Sequence, residues 1–187
     1  MTDSNFLANQ FLIAMPNLGD PNFSKTVTYL CQHNSEGGLG IVINRPTDLK
    51  LVEIFRQMDI KSTDTKLDNI PVFFGGPIQQ ERGFIVHTAS KQWDSTIKVS
   101  DDISLTTSRD ILEAIAIGEG PDKVLVALGY AGWGQNQLEK EMIDNVWLTT
   151  SALESILFDT PVGTRWSSAA NQIGVDINLM TGQAGHG

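Results

Sequence analysis

Cys31 and His33 are separated by one residue, and in an extended strand such a pair projects from one face, as a thiolate nucleophile and its general base would. The competing reading is a cysteine packed at the end of an apolar strand. His87 would complete a three-ligand metal cluster with Cys31 and His33 if their strands were neighbours. The chain holds three histidines, one of them at position 186, and no short-spaced His/Cys/Asp ligand motif, so no metal and no cofactor are expected. Gly75-Gly76-Pro77 and Gly37-Gly38-Leu39-Gly40 offer backbone N–H groups of the kind that line oxyanion holes and phosphate loops. Neither stands in a Walker, dinucleotide-binding or nucleophile-elbow context, and tight turns account for them better.

A second set of polar residues belongs to binding rather than catalysis. Asn17, Asp20, Asn44 and Arg45 fall at strand ends, where they close turns or meet a ligand. The stretch from Gly129 through Tyr130, Ala131, Gly132, Trp133 and Gly134 to Gln137 and Glu139 reads as a glycine–aromatic turn running into a helix. It is either a corner of the fold or the wall of a pocket. Asn136 and Glu139 have the spacing of a capping box, and Trp133 between glycines either packs over the first turn of that helix or serves as an interface hot spot.

The elements that must position these groups follow from periodicity. Residues 11–14 read as a buried strand, and 26–31 with 39–43 as a hairpin around the turn formers of 33–38. A helix is expected from Thr47 or Asp48, with Leu51, Ile54, Phe55 and Met58 on one face. Further strands are expected at 72–74, 84–88, 97–99 and 103–106, the last two as a hairpin about Asp101-Asp102. A helix capped by Thr107 or Ser108 should end at Gly118, and 124–128, apolar throughout, reads as a strand covered on both faces. Residues 146–149 complete the strands. Ser151 and Glu154 form a capping box for a short helix, and Thr164 caps a last one whose Trp166, Ala169, Ala170 and Ile173 share a face. Mixed strands and helices with several hairpins give an α+β fold built on a mixed sheet.

Composition narrows the function classes. Thirteen basic against 22 acidic residues give a net charge of −9, which repels nucleic-acid phosphates and makes direct DNA binding an unfavourable reading. A single cysteine permits no intrachain disulfide, and the first residues lack the basic-then-apolar pattern of a secretory signal, so a cytoplasmic setting is expected. The longest apolar runs are five residues, against the roughly 20 needed to cross a bilayer. Residues 1–180 are expected to be one folded unit, followed by a flexible tail at 181–187.

Several motifs together resemble the YqgE/AlgH family (UPF0301, DUF179). They are Phe11-Leu12-Ile13-Ala14-Met15-Pro16 with Asp20-Pro21-x-Phe23; Cys31-x-His33-Asn34 with Gly38-x-Gly40; Asn44-Arg45-Pro46; Gly75-Gly76-Pro77 with Arg82-Gly83-Phe84 and His87; and Gly129-Tyr130-Ala131-Gly132-Trp133 with Gln137-Leu138-Glu139 and Trp147-Leu148. The resemblance implies an α+β domain whose bifurcated mixed sheet curls into a pseudo-barrel with helices outside. It implies no catalytic residue; the family label of transcriptional regulator rests on an association with alginate production. Two function classes follow. One is a non-enzymatic binding or regulatory protein that engages a protein partner or small ligand through Asn17, Asp20, His33, Asn44, Arg45, Gly75, Gly76, Pro77, His87, Tyr130, Trp133, Gln137 and Glu139. The other is a hydrolase or transferase using Cys31, His33 or His87 near Gly75-Gly76-Pro77. The oligomeric state is open.

Overall fold

The computed structural model describes residues 6–89, 91–177 and 179. Strands β1 (Gln10–Ala14), β2 (Val27–Asn34) and β3 (Gly37–Val42) form an antiparallel meander, with a two-residue turn at Ser35-Glu36. Next come β4 (Pro46–Lys50), helix α1 (Leu51–Gln57), β5 (Pro71–Phe74), β6 (Ile78–Thr88), β7 (Thr96–Lys98) and β8 (Ile103–Thr106). Helix α2 (Arg109–Ala116), β9 (Val124–Trp133), α3 (Gln137–Ile143), β10 (Trp147–Ser151) and α4 (Arg165–Asn171) complete the order. The strands make one sheet of order β10-β1-β2-β3-β9-β6-β8-β7, and β5 pairs in parallel with β9 and antiparallel with β4. The fold is mixed α+β, with the sheet curled into a half-barrel.

Strand β9 is the axis on which the sheet divides. Its first half, Val126 to Leu128, pairs with β5, and its second half, Ala131 to Trp133, pairs with β3 along the same edge. Gly129 lies between them with φ +80°. Because this left-handed residue interrupts the pleat, the side chains change face: Leu125 and Ala127 enter the central core, whereas Ala131 and Trp133 enter a different cluster.

Three apolar clusters result among the described residues. The central one holds Phe11, Ile13, Tyr29, Ile41, Phe84 and Leu125 and is closed by Trp166, Ala169 and Ala170 of α4. The second packs Leu51, Ile54 and Phe55 of α1 and Ile111, Leu112 and Ile115 of α2 on Ile85 and Val126. The third packs Leu138 of α3 on Leu12, Leu30, Trp133 and Trp147. Both faces of β1 are therefore buried, which is why its run is continuously apolar.

Several expected boundaries move, each for a visible reason. The segment Pro46–Lys50 is a strand and not the start of α1, because it pairs with Phe73 and Pro71 and the Thr47 hydroxyl donates to the Val72 carbonyl at 2.7 Å. The expected turn at residues 129–133 is the second half of β9. Asn136 does not cap α3: it adopts φ +63°, and its side chain accepts no hydrogen bond from the helix. Ser151 ends β10 and does not open a helix; the turn that follows, Ser155–Asp159, is π-helical and closes with the Thr160 N–H on the Ser155 carbonyl. The Thr164 hydroxyl donates to the Pro161 carbonyl instead of capping α4, and Ile173, beyond the end of that helix, is 40% exposed. The expected tail, 181–187, lies outside the described residues.

Candidate functional site

The glycine motifs meet where the sheet divides. The Gly75 N–H donates to the Leu128 carbonyl at 2.8 Å, and the Val42 N–H donates to the Gly75 carbonyl at 2.9 Å. A Cβ on Gly76 would fall on the Tyr130 carbonyl group, and one on Gly129 would fall on the Gly76 carbonyl oxygen. Gly76 (φ +155°) and Gly129 therefore permit a backbone crossing that no side chain allows. The Gly75 N–H and carbonyl are both engaged in this corner, and the backbone crossing accounts for Gly75-Gly76-Pro77 without an oxyanion hole.

Beside the corner a cleft of about 520 Å³ opens between the β2–β3 hairpin and the second half of β9. Gln32, Asn34 and Glu36 supply its polar wall, and Leu39, Ile78 and Tyr130 its apolar one. Gly37, Gly38, Gly132, Trp133 and Gly134 line it as well, so two motifs distant in sequence share one concave surface. Among the described residues its lining carries one carboxylate and no cation, which disfavours a phosphate ligand.

The cleft has a rigid back. The indole N–H groups of Trp133 and Trp147 both donate to Glu141 Oε1 at 2.9 Å, and Gln137 Nε2 donates to Glu141 Oε2 at 3.0 Å. Gln137 Oε1 in turn accepts the Gly134 N–H at 2.9 Å. One carboxylate thereby joins the end of β9, the start of β10 and α3. Trp133 is 7% exposed, packs with Leu138 of α3 and lies 6.1 Å from the Trp147 ring, so it braces the cleft wall that it lines. Glu141 escaped the sequence reading because an acid in a short helix looks like a solvated one.

His33 joins the same region from the other side. The Leu7 N–H donates to His33 Nδ1 at 2.9 Å, so the neutral ring carries its proton on Nε2, which faces Glu139 Oε2 at 3.3 Å. The contact is close but poorly aligned, and Glu139 Oε1 makes no hydrogen bond among the described residues. Glu139 thus meets a histidine instead of capping α3.

Cys31 and His33 do not share a face. The β2–β3 register shifts between Leu30 and Gln32, and the extra residue reverses the alternation. Cys31 enters the central core, 3% exposed, whereas His33 shares a face with Leu30, both side chains lying within 4 Å of where a Gly38 Cβ would be. Burial pushes the Cys31 thiol far above its usual range, so no accessible thiolate is present. His87 lies elsewhere, fully buried: Nδ1–H donates to the Thr88 carbonyl at 2.9 Å, and Nε2 accepts from the Thr106 hydroxyl at 2.7 Å. Burial holds its pKa below the ordinary value. Among the described residues, Cys31, His33 and His87 form no common metal-binding group.

Asp20, Asn44 and Arg45 close turns. Asn44 accepts the Val27 N–H and donates to the Lys25 carbonyl, both at 2.9 Å. The Arg45 guanidinium donates to the carbonyls of Pro21 and Ser24, and Asp20 accepts the Asn22 N–H. Asn17 is exposed in the adjoining turn. These four gather at one loop and border no part of the cleft, and neither do Gly75, Gly76, Pro77 and His87. Arg165, also missed, is 5% exposed, donates to the Thr160 and Ile43 carbonyls and lies over Phe73. An arginine opening a helix gives no sign of burial in sequence.

Comparison with known proteins supplies the lineage. The AlgH-like family (DUF179) matches residues 11–178. A UPF0301 protein of Methylococcus capsulatus is 58% identical over 186 residues, spanning 100% of this chain and 99% of its own, and one of Thioalkalivibrio sulfidiphilus is 57% identical over the full length of both. The solution structure of the AlgH protein from Pseudomonas aeruginosa superposes with a TM-score of 0.81 at 44% identity, over 97% of this chain and 96% of that one. A crystal structure of a Corynebacterium diphtheriae protein shares the fold at 16% identity and a TM-score of 0.76, over 97% and 94%. A shared curled α+β fold and a match across almost the whole sequence lead to one conclusion: the chain belongs to the AlgH-like (DUF179, UPF0301) family.

Proposed function

We propose that this chain is a cytoplasmic, non-enzymatic binding protein with a regulatory role, which recognises a neutral or basic segment of a protein partner in the cleft between the β2–β3 hairpin and β9. The observation that carries the reading is the convergence of Asn34, Gly37, Gly38, Tyr130, Gly132 and Gly134 on one concave surface of about 520 Å³, within the roughly 300–1,000 Å³ of binding sites. Its polar wall of two amides and the Glu36 carboxylate suits donors and cations, in keeping with the net charge of −9. The burial of Cys31 takes the thiol nucleophile out of the competing hydrolase or transferase reading. The same charge favours regulation through a partner over direct contact with DNA, and none of the helices described is long and apolar enough to cross a membrane.

A photo-crosslinking residue at Gln32, on the cleft wall, tests the reading against one at the exposed Lys98 on β7. A discrete adduct specific to Gln32 is expected. Identical adduct patterns from both positions would remove the cleft as the recognition site.

A further inference from the structure

A second cleft, of about 540 Å³, lies between α1 and α2 over β6 and β9, and it shares no residue with the first. Ile54 and Met58 of the α1 region, Leu112 of α2, Ile85 of β6, and Val126 and Leu128 of β9 make its interior aliphatic. These side chains belong to the packed second cluster, so the cavity is an extension of a core and not a wrinkle of the surface. Water in such a space gains few hydrogen bonds, and an apolar group replacing it is favoured by about 25 cal/mol per Å² covered.

The mouth of this cleft carries a cation that has no acidic partner among the described residues. Arg82 donates to neutral oxygens only, Gln79 Oε1 at 3.3 Å and Thr107 Oγ1 at 3.2 Å, distances long for charge-assisted bonds. Its guanidinium lines the cleft and lies 5.5 Å from the centre of the Phe84 ring, which belongs to the central core. Among the described residues it makes no ion pair: Glu81 lines the same cleft without pairing to it, and Arg109, also on the rim, is held by Glu113 at 3.2 Å. In a chain of net charge −9, an unpaired guanidinium over an aliphatic cavity marks a local preference for an anion.

We propose that this cleft binds a small amphipathic carboxylate, an aliphatic or aromatic acid whose apolar body lies between α1 and α2 and whose carboxylate is held by Arg82. A purely apolar ligand would leave the guanidinium unpaired, and a phosphorylated polar ligand would leave the aliphatic walls wet. The Thr107 hydroxyl stands within reach of the same carboxylate.

Titration of the full chain with decanoate and with decanol, below their aggregation thresholds, followed by amide chemical shifts, tests the proposal. Decanoate should give saturable shifts in Ile54 to Met58, Gly83 to Ile85 and Ser108 to Leu112, with decanol at least roughly tenfold weaker. Arg82→Gln, at an exposed position, should weaken decanoate by about tenfold and leave decanol unchanged, since it removes the charge-assisted partner of the carboxylate alone. Met58→Trp, which fills the cavity, should abolish both. Equal affinity for acid and alcohol, or an unaltered decanoate affinity in Arg82→Gln, would overturn the proposal in favour of a docking surface for apolar side chains. The absence of saturable shifts at these segments up to millimolar decanoate would overturn it outright.

Discussion

The crossing of Gly76 over Gly129 and the cleft between α1 and α2 are opposite uses of the same sheet. At the crossing, backbone touches backbone and a single methyl group has nowhere to go. In the cleft, aliphatic side chains leave about 540 Å³ unfilled. The most recognisable motifs of the sequence belong to the first, and the second is lined chiefly by residues that read as ordinary helix and strand packing. Motif density here marks where the chain has least freedom. Space for a ligand has to be sought beside those points.

Substitutions that add one methyl group to different glycines sharpen this contrast. Gly76→Ala should cost more than about 4 kcal/mol or abolish folding, read as loss of the urea transition, because it combines φ +155° with overlap on the Tyr130 carbonyl. At the other extreme, Gly163→Ala should change stability by less than about 0.5 kcal/mol, since nothing lies within 4 Å of its Cβ position. Similar values for the two would break the comparison.

Between these limits stands Glu141→Gln. One carboxylate accepts from two indoles and the Gln137 amide, so the neutral isostere should cost about 2–3 kcal/mol in chemical unfolding and reduce near-ultraviolet dichroism from Trp133 and Trp147. An unchanged midpoint and spectrum would show that the brace is not rigid.

A smaller effect comes from His87. Its folded pKa lies below the ordinary 6.5 because burial disfavours the charged ring. The unfolded chain therefore binds the proton first as pH falls, so the histidine's contribution is complete above about pH 6.5 and is lost on acidification from there through the lowered folded value. The slope reaches at most about 1.4 kcal/mol per pH unit. Unfolding free energies at pH 7 and pH 5 should differ less in His87→Gln than in the parent, and an identical difference would assign the acid sensitivity elsewhere.

The strands, the hairpins and the mixed sheet were legible because alternation and turn residues are local signals. What was not legible depended on partner strands. Pro46–Lys50 looks like a helix start until β5 is beside it. Cys31 and His33 look coplanar until a register shift against β3 turns them apart. Gly129 looks like the end of a strand, yet its positive φ lets the strand continue with its faces exchanged. Of the expected site residues, Tyr130 and Trp133 line the first cleft, and His33, Gln137 and Glu139 support its surroundings, whereas Asn44 and Arg45 close a separate loop. Gln32, Asn34 and Glu36 became visible only when the hairpin was placed against β9.

The central claim, that the glycine motifs build the corner and that recognition happens in the cleft beside it, is tested most directly by quantitative affinity capture with the double variant Gln32→Arg/Glu36→Arg. Both positions are exposed, so the thermal transition should not move. The account predicts that a partner retained by the parent protein is lost from this variant at unchanged stability; retention of the same partner at the same level would contradict it.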